Sequence, residues 1–356
     1  MNRLAEVLER LDRVRFPSGI SFDRSGKALA AAISPASRDP QESFQSRIWR
    51  FTLDGEATQL THGPNGDGLP CYSPLDDRLA FTSDRAVKGK DDLFLLDGGA
   101  VKPLGNIPGT IEDLRWTQDA KSLIAMAADR GLDGGATNGA VRIWWDGVED
   151  PAITNATDAR RRLYKVRVSD GETVEIGPEG YTVWEFDLLG DGAIALVSDD
   201  PSERGWYHAK LARIDFSNRS AKILHESRWQ LQGPAVSPSG RKVAFLEGWS
   251  SDRGLVAGEM RILDLASGEI LTLAADRESN ISALQWRDEE SLWCAGWSRL
   301  GSTYGIVRLD GSFEWIERED AVVGPNSFLA AITPTPDQKG FAGIREAVGA
   351  PPEIVF

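Results

Sequence analysis

Tyr72-Ser73-Pro74-Leu75-Asp76-Asp77-Arg78-Leu79-Ala80-Phe81-Thr82-Ser83-Asp84-Arg85 returns, in degraded form, about every fifty residues along this chain. Its clearest copy is Val236-Ser237-Pro238-Ser239-Gly240-Arg241-Lys242-Val243-Ala244-Phe245. Weaker copies are anchored at Phe22, Trp116, Phe186, Trp286 and Ile332. Self-similarity at such a period means stacked supersecondary units. Within the second unit, Asp67–Ser73 reads as an inner strand and the next four residues as a tight turn. Arg78–Ser83 is a second strand, Leu93–Leu96 a third, and Val101–Leu104 a short fourth. Pro, Asp and Gly stand where turns need them.

Other units fill the same slots. Third strands read Arg47–Leu53, Leu163–Ser169, Met260–Asp264 and Gly305–Leu309, with fourth strands at Thr58–Thr61, Thr173–Ile176, Ile270–Leu273 and Glu314–Glu317. Four short strands with turns every 8–12 residues are an antiparallel meander. One such sheet cannot cover its own two faces; sheets stacked radially in a ring cover each other. The fold class expected is therefore all-β: a seven-bladed β-propeller over 18–356, preceded by a helix and linker over 1–17. The Phe186 unit fits least well, because its turn Leu189-Gly190-Asp191-Gly192 lacks the Ser-Pro pair. The seventh unit runs from Phe328 and reaches the third-strand slot at Pro352–Phe356, leaving that blade incomplete. An unpaired third strand is an exposed edge. The expectation is a piece of a longer protein; the plainer alternative is a three-stranded last blade.

Net charge is −14, with one basic run at Arg160-Arg161-Arg162. Phosphate binding needs a clustered excess of Lys and Arg, so no nucleic-acid partner is expected. The basic run is read as a solvated strand start. Cys71 and Cys294 fall in strand slots of different units and are read as buried free thiols. Two thiols suit a reducing compartment, and the N-terminus lacks an apolar signal core, so the cytoplasm is expected. No stretch approaches the length of a membrane span, and no membrane partner is expected. Leu4, Val7, Leu8, Leu11 and Val14 recur at helical spacing and predict an amphipathic helix ending before Pro17. Its stripe is expected to pack on the propeller's rim; the sharper alternative is a domain outside this chain. About thirty residues between Ala128-Asp129-Arg130 and Arg162-Leu163-Tyr164 form the one large insertion.

Chemistry is sparse. No G-x-S-x-G is present; Gly248-Trp249-Ser250-Ser251-Asp252 and Gly296-Trp297-Ser298-Arg299-Leu300 come nearest, and both lack the last glycine. Only His62, His208 and His225 occur, and His62 and His225 occupy equivalent loop slots. There is no metal-ligand motif and no phosphate loop, so no catalytic residue, metal or cofactor is assigned. Asp288-Glu289-Glu290, which tempts as an amine site, is read as a solvated turn. One recurrence bears on binding. Arg85, Arg130 and Arg253 follow Asp in the second-to-third strand loops of three units. Equivalent loops share one face, so three arginines there are candidates to ring the channel mouth and hold a substrate carboxylate. The local alternative pairs each with its preceding Asp.

At these residues the chain resembles the N-terminal propeller of the prolyl oligopeptidase family, in its acylaminoacyl-peptidase and dipeptidyl-aminopeptidase-like branch. The carriers are Tyr72-Ser73-Pro74, Leu79–Arg85, Gln59-Leu60-Thr61-His62-Gly63 and Val236–Phe245. The long third unit, Val141–Gly147 to Arg162-Leu163-Tyr164, and Pro351-Pro352-Glu353-Ile354 are similar to that branch as well. The resemblance implies a non-catalytic propeller that gates and orients peptide substrates for a following α/β-hydrolase domain of a serine peptidase. That domain's catalytic residues have no counterpart in this chain. The partners implied are that hydrolase domain and a peptide, with homo-oligomerisation left open. The alternative is a free-standing TolB-like propeller serving as a protein-interaction module, since such propellers share the Ser-Pro repeats.

Overall fold

The computed structural model describes residues 3–35, 45–129, 159–250, 257–273, 278–325 and 329–356. The chain begins with helix α1 (Arg3–Leu11), and seven antiparallel sheets follow in chain order. The first comprises β1 (Arg15–Phe22), β2 (Ala28–Pro35), β3 (Arg47–Thr52) and β4 (Ala57–Gln59). The second comprises β5 (Asp67–Tyr72), β6 (Leu79–Val87), β7 (Lys90–Asp97) and β8 (Ala100–Pro103). The third comprises β9 (Thr110–Trp116), β10 (Ser122–Ala128), β11 (Arg161–Arg167) and β12 (Thr173–Glu175). The fourth comprises β13 (Thr182–Leu189), β14 (Gly192–Ser198), β15 (Lys210–Asp215) and β16 (Ser220–His225), with a single turn of helix, α2 (Glu203–Trp206), before β15. The fifth comprises β17 (Gln230–Val236), β18 (Lys242–Trp249), β19 (Ala257–Asp264) and β20 (Ile270–Leu273). The sixth comprises β21 (Ser279–Trp286), β22 (Ser291–Ser298), β23 (Gly301–Arg308) and β24 (Phe313–Glu319).

The seventh sheet differs. β25 (Val322–Val323) and β26 (Thr333–Pro334) pair with the two ends of one edge of β27 (Phe341–Ala347), and β28 (Ala350–Val355) pairs with its other edge. The inner strand is thus split, and β28 is the outermost row among the described residues. The seven-bladed propeller and the helix are as the repeats predict. Two anchors shift. Leu188 pairs with Ala193 across a short turn, and Pro334 pairs with Phe341, so the positions equivalent to Tyr72 are Leu188 and Pro334, not Phe186 and Ile332. β1 opens at Arg15, so Arg15–Pro17 is strand, not linker.

Burial explains the sequence pattern strand by strand. The second strand of each blade has a blade on both faces, and β10 and β14 are buried at every position. A strand covered on both faces reads as a continuous apolar run. Outer strands such as β4 and β12 have no buried residue and read as polar. The inner strands of the first six blades each carry a register shift, at 18/21, 68/71, 111/113, 183/185, 232/235 and 281/283 in the pairing. A bulge bends the strand and frees a residue from the ladder. Two freed residues reach across to a neighbour: Gly233 N donates to Glu185 Oε2 at 2.7 Å, and Ser282 Oγ donates to Ala330 O at 2.9 Å. Trp116 and Trp286 donate their indole N–H groups to the carbonyls of Cys71 and Ala235 in the preceding blades, each at 2.9 Å.

At the closure of the ring, Phe22, Leu29 and Ala31 of the first blade pack on Ala342 and Ile354 of the seventh, and among the described residues no strand is shared between these two sheets. Of the stripe expected to pack on the rim, Val7 and Leu11 of α1 are about half exposed. Replacing Leu29 by Ala should cost about 2–5 kcal/mol, the price of a cavity at a fully buried site, read as a lower urea midpoint. Leu53→Ala, at an exposed turn, should change it by no more than about 0.5 kcal/mol.

Candidate functional site

Turns joining second to third strands, and connections from each fourth strand to the next inner strand, lie on one face of the ring. We call this the upper face; β1 also enters there, with α1 before it. Arg85 stands at this face, near the end of β6. Its Nη2 bonds Asp67 Oδ1 at 2.7 Å and its Nε bonds Ser83 Oγ at 3.0 Å. Its guanidinium carbon is 5.1 Å from the ring centres of both Phe81 and Phe94. Asp67, wholly buried at the head of β5, also accepts from Thr61 Oγ1 at 2.6 Å. Arg85 therefore seals the junction of the first two blades. Its partner is not the preceding acid: Asp84 instead accepts from Gly66 N at 2.7 Å and Gly89 N at 2.9 Å. Arg130 and Arg253 lie outside the described residues, so the expected arginine ring is not assembled among those described.

The basic run is not a solvated strand start. Arg161 is fully buried, its Nε 2.7 Å from Glu112 Oε2 and its guanidinium 4.8 Å from the Trp184 ring centre in the next blade. Arg160 Nη1 donates to the carbonyls of Gly180 and Asp199, each at 3.0 Å, and Arg162 pairs with Asp129 at 3.3 Å and Glu175 at 3.5 Å. All three arginines stitch the third blade or join it to the fourth. Asp288-Glu289-Glu290 is likewise a stitch, since Glu289 accepts from the Ser239 amide at 2.6 Å and hydroxyl at 2.8 Å in the preceding blade.

His62 is an exposed loop residue, as read. His225 is not: its Nε2 lies 3.2 Å from Glu247 Oε1, and Arg261 Nε lies 2.6 Å from Glu247 Oε2. Burial pushes the Glu247 carboxyl up, but hydrogen bonds from Ser227 and His225 and the charge of Arg261 outweigh it and hold it below its ordinary value. Serine, histidine and glutamate thus meet, yet both Ser227 and His225 bond to the carboxylate. A nucleophilic triad needs the histidine between the other two. Ser250 is buried, with its N–H on Gln230 Oε1 at 2.9 Å. Both cysteines are free, and burial pushes the Cys71 thiol up to about 11 and the Cys294 thiol to about 12, which keeps them unreactive. Among the described residues no group of three or more His, Cys, Asp or Glu is placed to hold a metal, and no helix is long and apolar enough to cross a membrane.

What the upper face does carry is apolar surface. Val87, Leu300 and Val348 stand exposed at or beside two-residue hairpin turns of the second, sixth and seventh blades. Trp229 and Trp249 stand exposed at the fifth, and Val7, Leu11 and Phe16 belong to the N-terminal approach to this face. Scattered apolar side chains are ordinary, but a set gathered on one face marks an interaction surface. Sequence reasoning missed this set because each residue sits singly in a turn, and only the ring brings them together.

No family model and no curated protein matches the sequence. Among solved structures, the chain is similar to acylaminoacyl peptidase from Pyrococcus horikoshii, at 14% identity and a TM-score of 0.67, over 97% of this chain and 51% of that one. The chain spans about half the length of that peptidase. It is similar to the β-propeller domain of the Trilobed protease from Pyrococcus furiosus, described as having an open velcro topology, at 10% identity and TM-score 0.65, over 96% and 95% of the two chains. It is equally similar to an oligogalacturonate lyase in complex with manganese, at 15% identity and TM-score 0.65, over 96% and 89%. At such identities these likenesses show the propeller fold.

Two outcomes follow from this geometry. Arg85→Ala should destabilise the chain by about 3 kcal/mol, because the buried Asp67 charge loses its partner, measured as a fall in the denaturation midpoint. Asp91, at the start of β7, has a carboxyl pushed up to about 6 by burial and by the charges of Asp84, Asp92 and Asp67. A raised carboxyl favours the folded state while protonated, and that advantage is lost as pH rises through about 4 to 6. Asp91→Asn should therefore raise the melting temperature at pH 7.5 by an amount corresponding to roughly 2 kcal/mol, and leave it unchanged near pH 4.

Proposed function

We propose that this chain is a non-catalytic propeller that gates and orients peptide substrates for the α/β-hydrolase domain of a serine peptidase. The observation that carries the reading is the presence of exposed Val87, Leu300 and Val348 on the upper face, with half-exposed Val7 and Leu11 of α1 on the approach to the same face. An apolar face of this kind calls for a covering domain. The likeness to two peptidase propellers supports the choice of a hydrolase domain as that cover. In this arrangement the ring restricts access by the width of its channel, and chemistry belongs to the domain it covers. Nothing in the described residues favours the free-standing interaction module over this reading.

Arg85 has no part in substrate binding on this account, because its fork is already held by Asp67 and Ser83. The covering role is tested on material from the source cells. An antibody to residues 1–356 should recover a fluorophosphonate-labelled serine, either on the same polypeptide or on one bound to it. The isolated 356-residue chain should stay unlabelled and hydrolyse no peptide or ester above background. Leu300→Asp and Val348→Asp should weaken the association or admit larger substrates without unfolding the ring. Recovery of the propeller with no labelled serine would sink the proposal.

A further inference from the structure

We propose that Arg228, Trp229 and Trp249 form a recognition platform for the carboxyl-terminal residue of a peptide, with Arg228 taking the carboxylate and the two indoles an apolar or aromatic side chain. The proposal takes its ligand class, a peptide, from the function proposed above.

Most described arginines near the upper face are already paired. Arg47 is spent on the carbonyls of Ser46, Gly63 and Asn65, and Arg85 on Asp67. Arg160, Arg161 and Arg162 are spent at the third blade, and Arg299 is 3.4 Å from Glu278. Arg228 is different. It is exposed, no acid among the described residues pairs with it, and its guanidinium lies 5.1 Å from the ring centre of Trp229. An aromatic face aligns a guanidinium without neutralising it.

The indoles are placed by the hairpin. Gln230 pairs with Gly248 in the β17–β18 register, so Trp229 and Trp249 stand just beyond that pair, side by side at the channel's upper mouth. They remain 41% and 63% exposed, although each could bury more area than any other side chain. The backbone beneath them is fixed. Ser250 N donates to Gln230 Oε1 at 2.9 Å, and Trp229 N donates to Ser227 Oγ at 2.9 Å. Holding both indoles before a ligand arrives removes part of the ordering cost of binding. An unneutralised cation beside two exposed indoles complements a group that is anionic and apolar within one residue. The end of a peptide chain that finishes in Phe or Leu has that chemistry.

The test needs only the 356-residue chain and two probes, N-acetyl-Ala-Ala-Phe with a free carboxylate and its carboxamide. Titrations followed by indole N–H chemical shifts should show saturable binding that perturbs Trp229 and Trp249. The acid should bind about fivefold more tightly than the amide, the range expected for an exposed charge pair, and the preference should shrink in high salt. Arg228→Gln should bring the ratio to about one while leaving amide binding unchanged, and Arg228→Lys should keep part of it. Trp249→Ala should weaken both probes about tenfold with the fold intact. Equal binding of acid and amide by the wild-type chain, shifts confined to other tryptophans, or no saturable binding at all would overturn the proposal. Peptide selectivity in a chain whose source material carries no labelled serine would remove the peptidase reading and leave the platform. A labelled serine with no such selectivity would do the reverse.

Discussion

Every blade of this ring has two apolar faces and can cover neither by itself. That constraint organises the rest. The second strands, buried on both sides, carry the densest apolar sequence, and their side chains form the clusters that run from one blade into the next. Among the described residues closure follows without a shared strand, because Leu29 and Ala31 meet Ala342 and Ile354 as any two neighbouring blades meet. A ring closed by packing depends on the shape of each sheet being right, since among the described residues no ladder of hydrogen bonds holds first blade to last. The recurrent bulges serve that shape. They bend the inner strands and release groups such as the Gly233 amide and Ser282 hydroxyl to bond across the junction.

Charge in the interior follows the same geometry. Ion pairs tie strands within a blade. Arg85 with Asp67, Arg161 with Glu112, and Arg261 with Glu247 are of this kind. Such pairs add little to stability beyond what a well-packed apolar pair would give, but either partner alone is costly. They make register specific: a strand displaced by one residue would leave a charge without its partner. Arg161, wholly buried, is held in this way. Arg228 differs from these three in facing solvent over an indole.

The two faces divide accordingly. Lower-face turns are built from Asp and Ser that cap their own backbone, as in Asp215 with Ser217 and Asp310 with Ser312. Others bond across blades, as Ser239 does with Glu289, and exposed Leu53 and Leu75 also stand at lower-face turns. Hairpin tips on the upper face carry Val87, Leu300 and Val348, which are exposed. The proposed function uses that upper-face set.

The repeat alone determined that this is a seven-bladed all-β ring with a leading helix, because turn chemistry and apolar runs are local properties of the chain. It placed the strands of the regular blades, and it misplaced the anchors at Phe186 and Ile332 where a short turn and a split inner strand break the local rule. Which charges are buried was not legible in it. Arg85 reads like a loop residue in sequence, and Arg161 like part of a surface run, because their partners stand 18 and 49 residues away. Nor was the apolar upper face legible, since its residues lie scattered from Val7 to Val348. Only closing the ring brings residues from separate repeats into contact. Burial and pairing are properties of those contacts, so the tertiary structure alone decided them.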